Sequence, residues 1–241
     1  MTTLTIGDGE RFNALGRAQW RALEEAASSP EVMASTAAVV IRGRGKSFCS
    51  GSDLREFVDA SADDVRAAFI EIEAALGAVE DIPVPTVAVI EGVAAGGGCQ
   101  LALACDLQLM ESSARIGMPT SQLGILVSAT FATRMSLRIG PSRTKELLYS
   151  GRLVAAPEAR DMGLVTTVAP ATAIDNVLAE LLEGWGRQSA ASLRAAKAAV
   201  NLGLAPVSQP ARDRVMGETA DPSDLPKRLA SFLHRTGKAG K

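Results

Sequence analysis

Three consecutive glycines, Gly96 to Gly98, stand between two apolar runs and constrain this chain more than any other feature. The run at 85–90 predicts a buried strand, and the run at 101–105 predicts a helix. Glycines at a strand-to-helix turn let another group approach the backbone closely. The first amides of that helix lack intrahelical acceptors and lie at its positive end. The turn therefore predicts a site for a phosphate or a developing oxyanion, or else only tight packing of helix on strand.

The motifs give little support to a nucleotide site. The triplet does not supply the G-x-G-x-x-G spacing of a dinucleotide-binding turn. Gly45-Lys46-Ser47 is similar to the end of a P-loop, but the leading glycine of that motif would fall at Val40. An NAD-type dehydrogenase is therefore disfavoured.

A second glycine-rich loop follows a second buried strand. The run at 37–41 predicts the strand, and residues 42–54 form a loop with small residues before Asp53. Two such loops, each at a strand end, can direct two backbone N–H groups at one point. That arrangement is the minimum for an oxyanion hole.

These loops, with several further motifs in the same order, resemble the crotonase superfamily, also called the enoyl-CoA hydratase/isomerase family. The resemblance covers nearly the whole chain. It is carried by the segments at 12–15, 48–54, 96–102, 105–106, 117–119, 123–124, 149–152 and 163–165. It implies an α/β (α+β) fold, with a coiled ββα acyl-CoA-binding core at 1–170 and a helical C-terminal trimerisation region at 171–241.

The resemblance also implies the site and the assembly. The backbone amides of Ser52 and Gly97 would bind the thioester oxygen of an acyl-CoA. No cofactor is expected beyond coenzyme A as part of the substrate, and the assembly is expected to be a homotrimer or a hexamer. The other expected substrate-binding residues are Ser50, Gly51, Asp53, Leu54, Gly96, Leu123, Ser128 and, on the terminal helix, Arg235.

The departures from the family pattern concern its two catalytic glutamates. Gln100 and Thr120 stand at those positions, and neither side chain can act as a carboxylate base. A stretch that is glycine-rich in the family is bulkier here, at 127–130. Gln100 and Thr120 either orient a water or a substrate carbonyl, or only fill the vacated space. The sequence thus predicts slow hydration and leaves open isomerisation, decarboxylation, thioester hydrolysis and non-catalytic acyl-CoA binding.

The other residues with reactive or ionisable side chains are interpreted as structural or solvent-exposed and not as catalytic. His234, the only histidine, is expected on the surface, and Cys49, Cys99 and Cys105 lack the C-x-x-C spacing of a zinc site. For Asp53 and Asp106, bonds to the backbone are the favoured interpretation. The acids at 59, 63, 64, 71 and 73 could supply a replacement acid, but their helical spacing is typical of a solvated face.

Charge and composition argue against some classes of protein, namely nucleic-acid-binding, membrane-spanning and secreted proteins. Twenty-five Lys and Arg against 27 Asp and Glu give a net charge of −2, so nothing indicates a nucleic-acid partner. No apolar run reaches the roughly 18 residues of a membrane span. The first residues do not have the pattern of a secretory leader, and unpaired cysteines suit a reducing compartment, so a cytoplasmic location is expected.

Predicted strands alternate with predicted helices before residue 170, and only helices are predicted after it. We expect strands at 4–6, 39–42, 86–90, 107–110 and 166–168. We expect helices at 14–27, 63–79, from 97, and at 131–139, 142–148, 156–162, 172–185, 190–202 and 224–235. Prolines at 206, 210, 222 and 226 are interpreted as joints between helices.

Overall fold

The computed structural model describes residues 1–35, 37–213, 220–221 and 224–239. Its strands are β1 Thr2–Ile6, β2 Val39–Gly43, β3 Thr86–Ile90, β4 Val93–Ala95, β5 Leu107–Glu111, β6 Arg115–Gly117, β7 Leu153–Ala155 and β8 Thr167–Ala169. Its helices are α1 Arg17–Ala27, α2 Ala62–Glu80, α3 Gly97–Ala104, α4 Ala129–Ser150, α5 Ala156–Asp161, α6 Ile174–Gly186, α7 Ala190–Asp213 and α8 Leu225–Ala239. Short helical turns span Arg11–Asn13, Glu31–Ser35, Leu54–Phe57 and Pro119–Gln122.

The strands form two sheets. Five parallel strands lie in the order β1-β2-β3-β5-β8, and β4, β6 and β7 form a smaller sheet in which only β6 and β7 are antiparallel. Parallel neighbours require long crossover connections, which the helices supply. The mixed α/β class predicted from the sequence is confirmed.

Both faces of the larger sheet are covered, as is usual for parallel strands. All five residues of β3 are buried. Its Val87 and Val89 pack in a small cluster with Ile174 and Leu178 of α6. Its Ala88 and Ile90 belong to the main core, which includes residues of α1, α2 and α3.

The small sheet is the main difference from the predicted elements. Each of its strands has three residues, too few for an alternating pattern to show in the sequence. This sheet matters for the site, because β4 ends directly before the glycine triplet and β6 leads into the turn at Pro119–Gln122.

Two expectations about helices are corrected. Helix α1 begins at Arg17 and not at residue 14, because Ala14 and Gly16 are extended and Leu15 pairs with the loop at Ser52. Pro206 and Pro210 lie inside α7 and are not joints. Each proline deprives the carbonyl four residues earlier, at Leu202 and Pro206, of its helical donor. This part of α7 is exposed, so water can hydrate those carbonyls, and α7 stays packed on α4.

The other two prolines interpreted as joints between helices are Pro222 and Pro226. Pro226 stands in the first turn of α8, where a missing N–H costs no helical bond. Pro222 lies outside the described residues. The proposed division of the chain at residue 170 stays a prediction, with α6, α7 and α8 following that point. No helix of the described part combines the length and the apolar character needed to cross a membrane.

Candidate active site

The loop after β2 is held against the segment around β4. Cys49 N–H donates to Val93 O at 2.9 Å, and Ala95 N–H donates to Cys49 O at 3.0 Å. Gly98 belongs to this contact, because a Cβ built there would overlap the carbonyl oxygen of Cys49. The two glycine-rich segments predicted from the sequence are therefore neighbours.

Asn13 fixes the start of the first loop. Its Nδ2 donates to Ser47 O at 2.7 Å and to Arg44 O at 2.9 Å, and its Oδ1 accepts from Gly9 N–H at 2.8 Å. The side chain is fully buried and its φ is 56°, a left-handed value that asparagine tolerates better than most residues. The motif at 12–15 thus shapes the loop that carries Ser52.

The amide of Ser52 is directed by the strand-like pairing of its neighbours with Leu15. Leu15 N–H donates to Gly51 O at 2.8 Å, and Asp53 N–H donates to Leu15 O at 2.9 Å. The residue between two such bonds points its own N–H away from the partner strand. No hydrogen bond within the described part of the chain uses the Ser52 N–H.

Gly97 presents the second amide. It is the first residue of α3, so its N–H has no acceptor within the helix. Gly96 before it has φ 55° and ψ −122°, which turns the chain sharply into the helix. A Cβ built at Gly51 would lie 3.1 Å from Gly97 N and 2.8 Å from Ala95 O, so the two loops meet without room for a side chain.

Both loops line one cavity of about 400 Å³. Its walls are largely apolar and include the stacked rings of Phe57 and Phe69, whose centroids are 6.2 Å apart. Of the residues predicted for the site, the structure brings together here Ser50, Gly51, Ser52, Leu54, Gly96, Gly97, Thr120 and Leu123.

Gln100 does not line this cavity. Its side chain is fully buried, its Oε1 accepts from Arg134 Nη1 at 2.9 Å, and its Nε2 donates to the carbonyl oxygen of Phe131 at 3.5 Å. The Phe131 residue itself lines the cavity. Gln100 therefore binds neighbouring protein groups and not the cavity contents.

Arg134 connects Gln100 to two acids. Its Nε donates to Glu80 Oε1 at 2.7 Å, and its Nη2 lies 3.7 Å from Glu73 Oε2. Ser128 Oγ donates to Glu73 Oε1 at 2.8 Å and accepts from Phe131 N–H, which caps α4. Burial raises the pKa of the Glu73 carboxyl, although Arg134 and Ser128 oppose the shift.

Thr120 has the opposite surroundings. It lines the cavity, only 6% of it is exposed, and its hydroxyl has no hydrogen-bond partner among the described residues. Its carbonyl accepts from the amides of Leu123 and Ile125, so the backbone is fixed while the hydroxyl is unused.

Three predicted substrate-binding residues lie outside the cavity wall. Asp53 caps the turn at Leu54–Phe57 and pairs with Arg55, which lowers the pKa of its carboxyl. Ser128 serves as the α4 cap, and Arg235 is exposed on α8. Phe232 of α8 lines the cavity.

The remaining candidates have structural roles. Asp106 accepts from Thr86 N–H at 2.8 Å and pairs with Lys197 at 2.9 Å. The three cysteines are buried, and burial raises the pKa of each thiol to about 12. His234 is exposed, and the described residues hold no group of three or more His, Cys, Asp or Glu side chains that could bind a metal.

Sequence reasoning missed Arg134 and misjudged Glu73. The spacing of the acids on α2 predicted a solvated face, which holds for Asp63 and Asp64 but not for Glu73. An arginine six positions after Ser128, among mostly apolar residues, gives no signal of its own. The partner of Gln100 lies 34 residues along the chain, so only the fold shows it.

Comparisons with known proteins identify the family of this chain. A family model described as enoyl-CoA hydratase/isomerase matches residues 1–233. The Mycosarcoma maydis enoyl-CoA isomerase/hydratase fer4 is 38% identical over 166 residues, 68% of this chain and 61% of fer4. The YngF protein of Bacillus subtilis is 33% identical over 205 residues, 85% of this chain and 79% of YngF. The chain thus spans less than two thirds of fer4.

Solved structures give the same result for the fold. The crystal structure of an enoyl-CoA hydratase/carnithine racemase from Magnetospirillum magneticum superposes with a TM-score of 0.80 at 28% identity, over 97% of this chain and 89% of that one. An enoyl-CoA hydratase from Bacillus anthracis gives 0.80 at 29% identity, over 97% and 92%. The family resemblance and the crotonase fold expected from the sequence are confirmed, and the chain belongs to the enoyl-CoA hydratase/isomerase family of the crotonase superfamily.

Proposed function

We propose that this chain binds an acyl-CoA thioester with the thioester oxygen between the amides of Ser52 and Gly97, and stabilises the enolate of that thioester. The observation that carries the proposal is the pair of N–H groups that have no acceptor among the described residues and belong to loops lining one largely apolar cavity. Donors fixed in advance toward a developing negative charge are worth most where water is excluded.

The lining of the cavity limits the proton chemistry. Among the described residues that line it, none is Asp, Glu, His, Cys or Lys, and the only ionisable side chains are Arg115 and Arg152. General acid–base help is typically worth about 10²–10⁴-fold. Crotonyl-CoA hydration should therefore be slower by about that factor than in a hydratase with two glutamates.

The same lining favours a second candidate reaction, decarboxylation. When the α-carbon of the acyl group carries a carboxylate, cleavage of the C–C bond releases CO2 and leaves its electron pair in the enolate. The enolate then takes a proton from water, and the reaction as a whole consumes one proton. No side-chain base is needed, and none lines the described part of the cavity.

The test is turnover of a panel of CoA thioesters by the Gly97→Pro variant, followed by mass spectrometry. Proline is well tolerated at the first position of a helix, where it removes the N–H and adds a ring. Gly97→Ala is the matched control, because it keeps the N–H and adds the same Cβ, which would lie 3.0 Å from Trp20 Cζ2.

We expect turnover by Gly97→Pro to be about a hundredfold below that of Gly97→Ala, whatever the acyl group. Both variants need circular dichroism and thermal unfolding like those of the parent. Equal turnover in the two folded variants would rule out the Gly97 amide as an oxyanion donor. Absence of binding by every thioester would refute the proposed function as a whole.

The proposal includes assembly as a homotrimer or hexamer. Its physical support is a set of apolar side chains left exposed on α7, among them Val200, Leu202 and Val207. Several exposed apolar side chains on one helix are typical of a surface that another subunit covers. Light scattering that gives a stable monomer at micromolar concentration would contradict it. Coenzyme A as part of the substrate, Arg235 as a contact to it and the cytoplasmic location stay predictions.

A further inference from the structure

The two arginines that line the cavity differ in their partners. Arg152 lies between Glu146 and Glu158, with Nε to Glu146 Oε1 at 2.8 Å and Nη2 to Glu158 Oε1 at 2.7 Å. Arg115, the first residue of β6, makes no side-chain hydrogen bond or ion pair within the described part of the chain. One guanidinium of the cavity wall is thus neutralised, and the other is not.

Five residues further along, Thr120 adds a second donor without an acceptor. Its hydroxyl is buried in the wall of the same cavity and makes no hydrogen bond to any residue that the structure describes. A buried hydroxyl that makes no hydrogen bond carries a free-energy penalty, and proteins rarely leave one without a reason. Gln122, the other polar side chain nearby, is already used, because its Nε2 donates to Gly151 O at 2.8 Å.

The guanidinium of Arg115 and the hydroxyl of Thr120 favour an anionic group on the bound molecule. A guanidinium can only donate, and a hydroxyl can donate to the same acceptor. The described lining contains no carboxylate that could satisfy either group. A carboxylate on the bound molecule would accept from both, and hydrogen bonds to charged groups are among the stronger ones.

We propose that the cavity takes an acyl thioester whose acyl group carries a carboxylate, bound by the guanidinium of Arg115 and the hydroxyl of Thr120. This proposal rests on the proposed function, because the acyl group enters the cavity only if the thioester lies at Ser52 and Gly97. It specifies the substrate class, an acyl-CoA with a second acidic group, and it assigns two specificity-determining side chains.

The experiment compares thioesters of equal length with and without the carboxylate. Calorimetry measures dissociation constants for malonyl- and propanoyl-CoA, succinyl- and butanoyl-CoA, and glutaryl- and pentanoyl-CoA, with free coenzyme A alongside. The variants are Arg115→Gln, Thr120→Val and the control Arg160→Gln, which removes an exposed arginine of α5 outside the cavity. Thermal unfolding establishes that each variant is folded.

For the parent protein we expect the acidic member of at least one pair to bind about tenfold tighter or more. In Arg115→Gln that ratio should fall to about one, and in Thr120→Val it should fall by roughly threefold to tenfold. Arg160→Gln should keep the ratio of the parent, because it changes the net charge by the same amount without touching the cavity.

Three results would overturn the proposal, and they are distinguishable. Equal affinity within every pair, with all thioesters bound, refutes the carboxylate site and leaves the proposed function standing. A loss in Arg115→Gln that is equal for free coenzyme A and both members of a pair assigns Arg115 to the coenzyme and not to the acyl group. Absence of binding by every thioester refutes the proposed function together with this inference.

Discussion

Gln100 and Thr120 stand where the resemblance to the family predicts its two glutamates, and the surroundings of these two side chains are opposite. The amide of Gln100 is sealed from the cavity and bonded at both ends, to Arg134 and to the carbonyl of Phe131. Thr120 lies in the cavity wall, and its hydroxyl is bonded to nothing in the described structure.

The difference teaches that the two positions have separate roles in this chain. A side chain with every polar atom satisfied contributes to the fold, and its loss should destabilise the protein. A buried hydroxyl with no partner costs stability, so its presence is better explained by a ligand. The surroundings thus support one of the two alternatives at each position, a structural role for Gln100 and a ligand contact for Thr120. Both roles stay predictions, and the following variants test them.

The largest effect is expected from Arg134→Met. This change leaves Glu80, Glu73 and the oxygen of Gln100 without their shared donor in a buried setting. Removing one partner of a buried ion pair typically costs about 3–5 kcal/mol, to be measured by urea unfolding. The matched control is Arg187→Met, whose pair with Glu183 is exposed and should cost about 0–1 kcal/mol. Similar losses in the two variants would mean that the Arg134 network is not structural.

Gln100→Leu and Thr120→Val form a matched pair with effects of opposite sign. The first leaves donors of Arg134 and the carbonyl of Phe131 unsatisfied, so unfolding free energy should fall by about 1–3 kcal/mol. The second removes an unsatisfied hydroxyl, so without ligand the protein should be unchanged or more stable by about 1 kcal/mol. A loss above about 1 kcal/mol for Thr120→Val would show that the hydroxyl has a structural partner after all.

The smallest effect is expected in the pH dependence of the unfolding free energy, through Glu73, which pairs with the same Arg134 that binds Gln100. Burial raises the pKa of this carboxyl in the folded protein, so the folded state keeps its proton to a higher pH than the unfolded chain does. The contribution of Glu73 to stability is therefore fully present below the unfolded pKa, about 4.3, and declines as pH rises through the folded value.

Glu73→Gln should accordingly gain stability relative to the parent as pH increases from about 4 to 7. Chemical unfolding of both proteins across that range measures the difference. If the difference instead moves in favour of the parent with rising pH, the ion pair with Arg134 outweighs burial at this carboxyl.

The sequence was informative wherever one short segment determines the structure. The buried runs of β2 and β3, the glycine loops and the helix from Gly97 follow from local composition, and all are observed. The three-residue strands of the small sheet are too short to show an alternating apolar and polar pattern, so the sequence does not predict them. The course of α7 through Pro206 depends on tertiary packing that overrides local propensity.

For the side chains of the site, the sequence predicts their place near the acyl group but not their hydrogen-bond partners. Thr120 and Gln100 were both placed near the acyl group, yet only the fold distinguishes them, because Arg134 reaches Gln100 from another helix. Arg115 gave no signal at all, since an arginine beginning a short strand is ordinary until its lack of a partner is seen.

The bridge between Leu15 and the residues on either side of Ser52 has a consequence for how this protein can change. A donor that belongs to the main chain survives almost every substitution at its own position, proline excepted. Residue 52 can therefore vary in side chain while its amide keeps the same direction, set by hydrogen bonds of Gly51 and Asp53. In the proposed site, substitutions at positions 115 and 120 would change the contacts to the acyl group and leave the directions of the Ser52 and Gly97 amides unchanged.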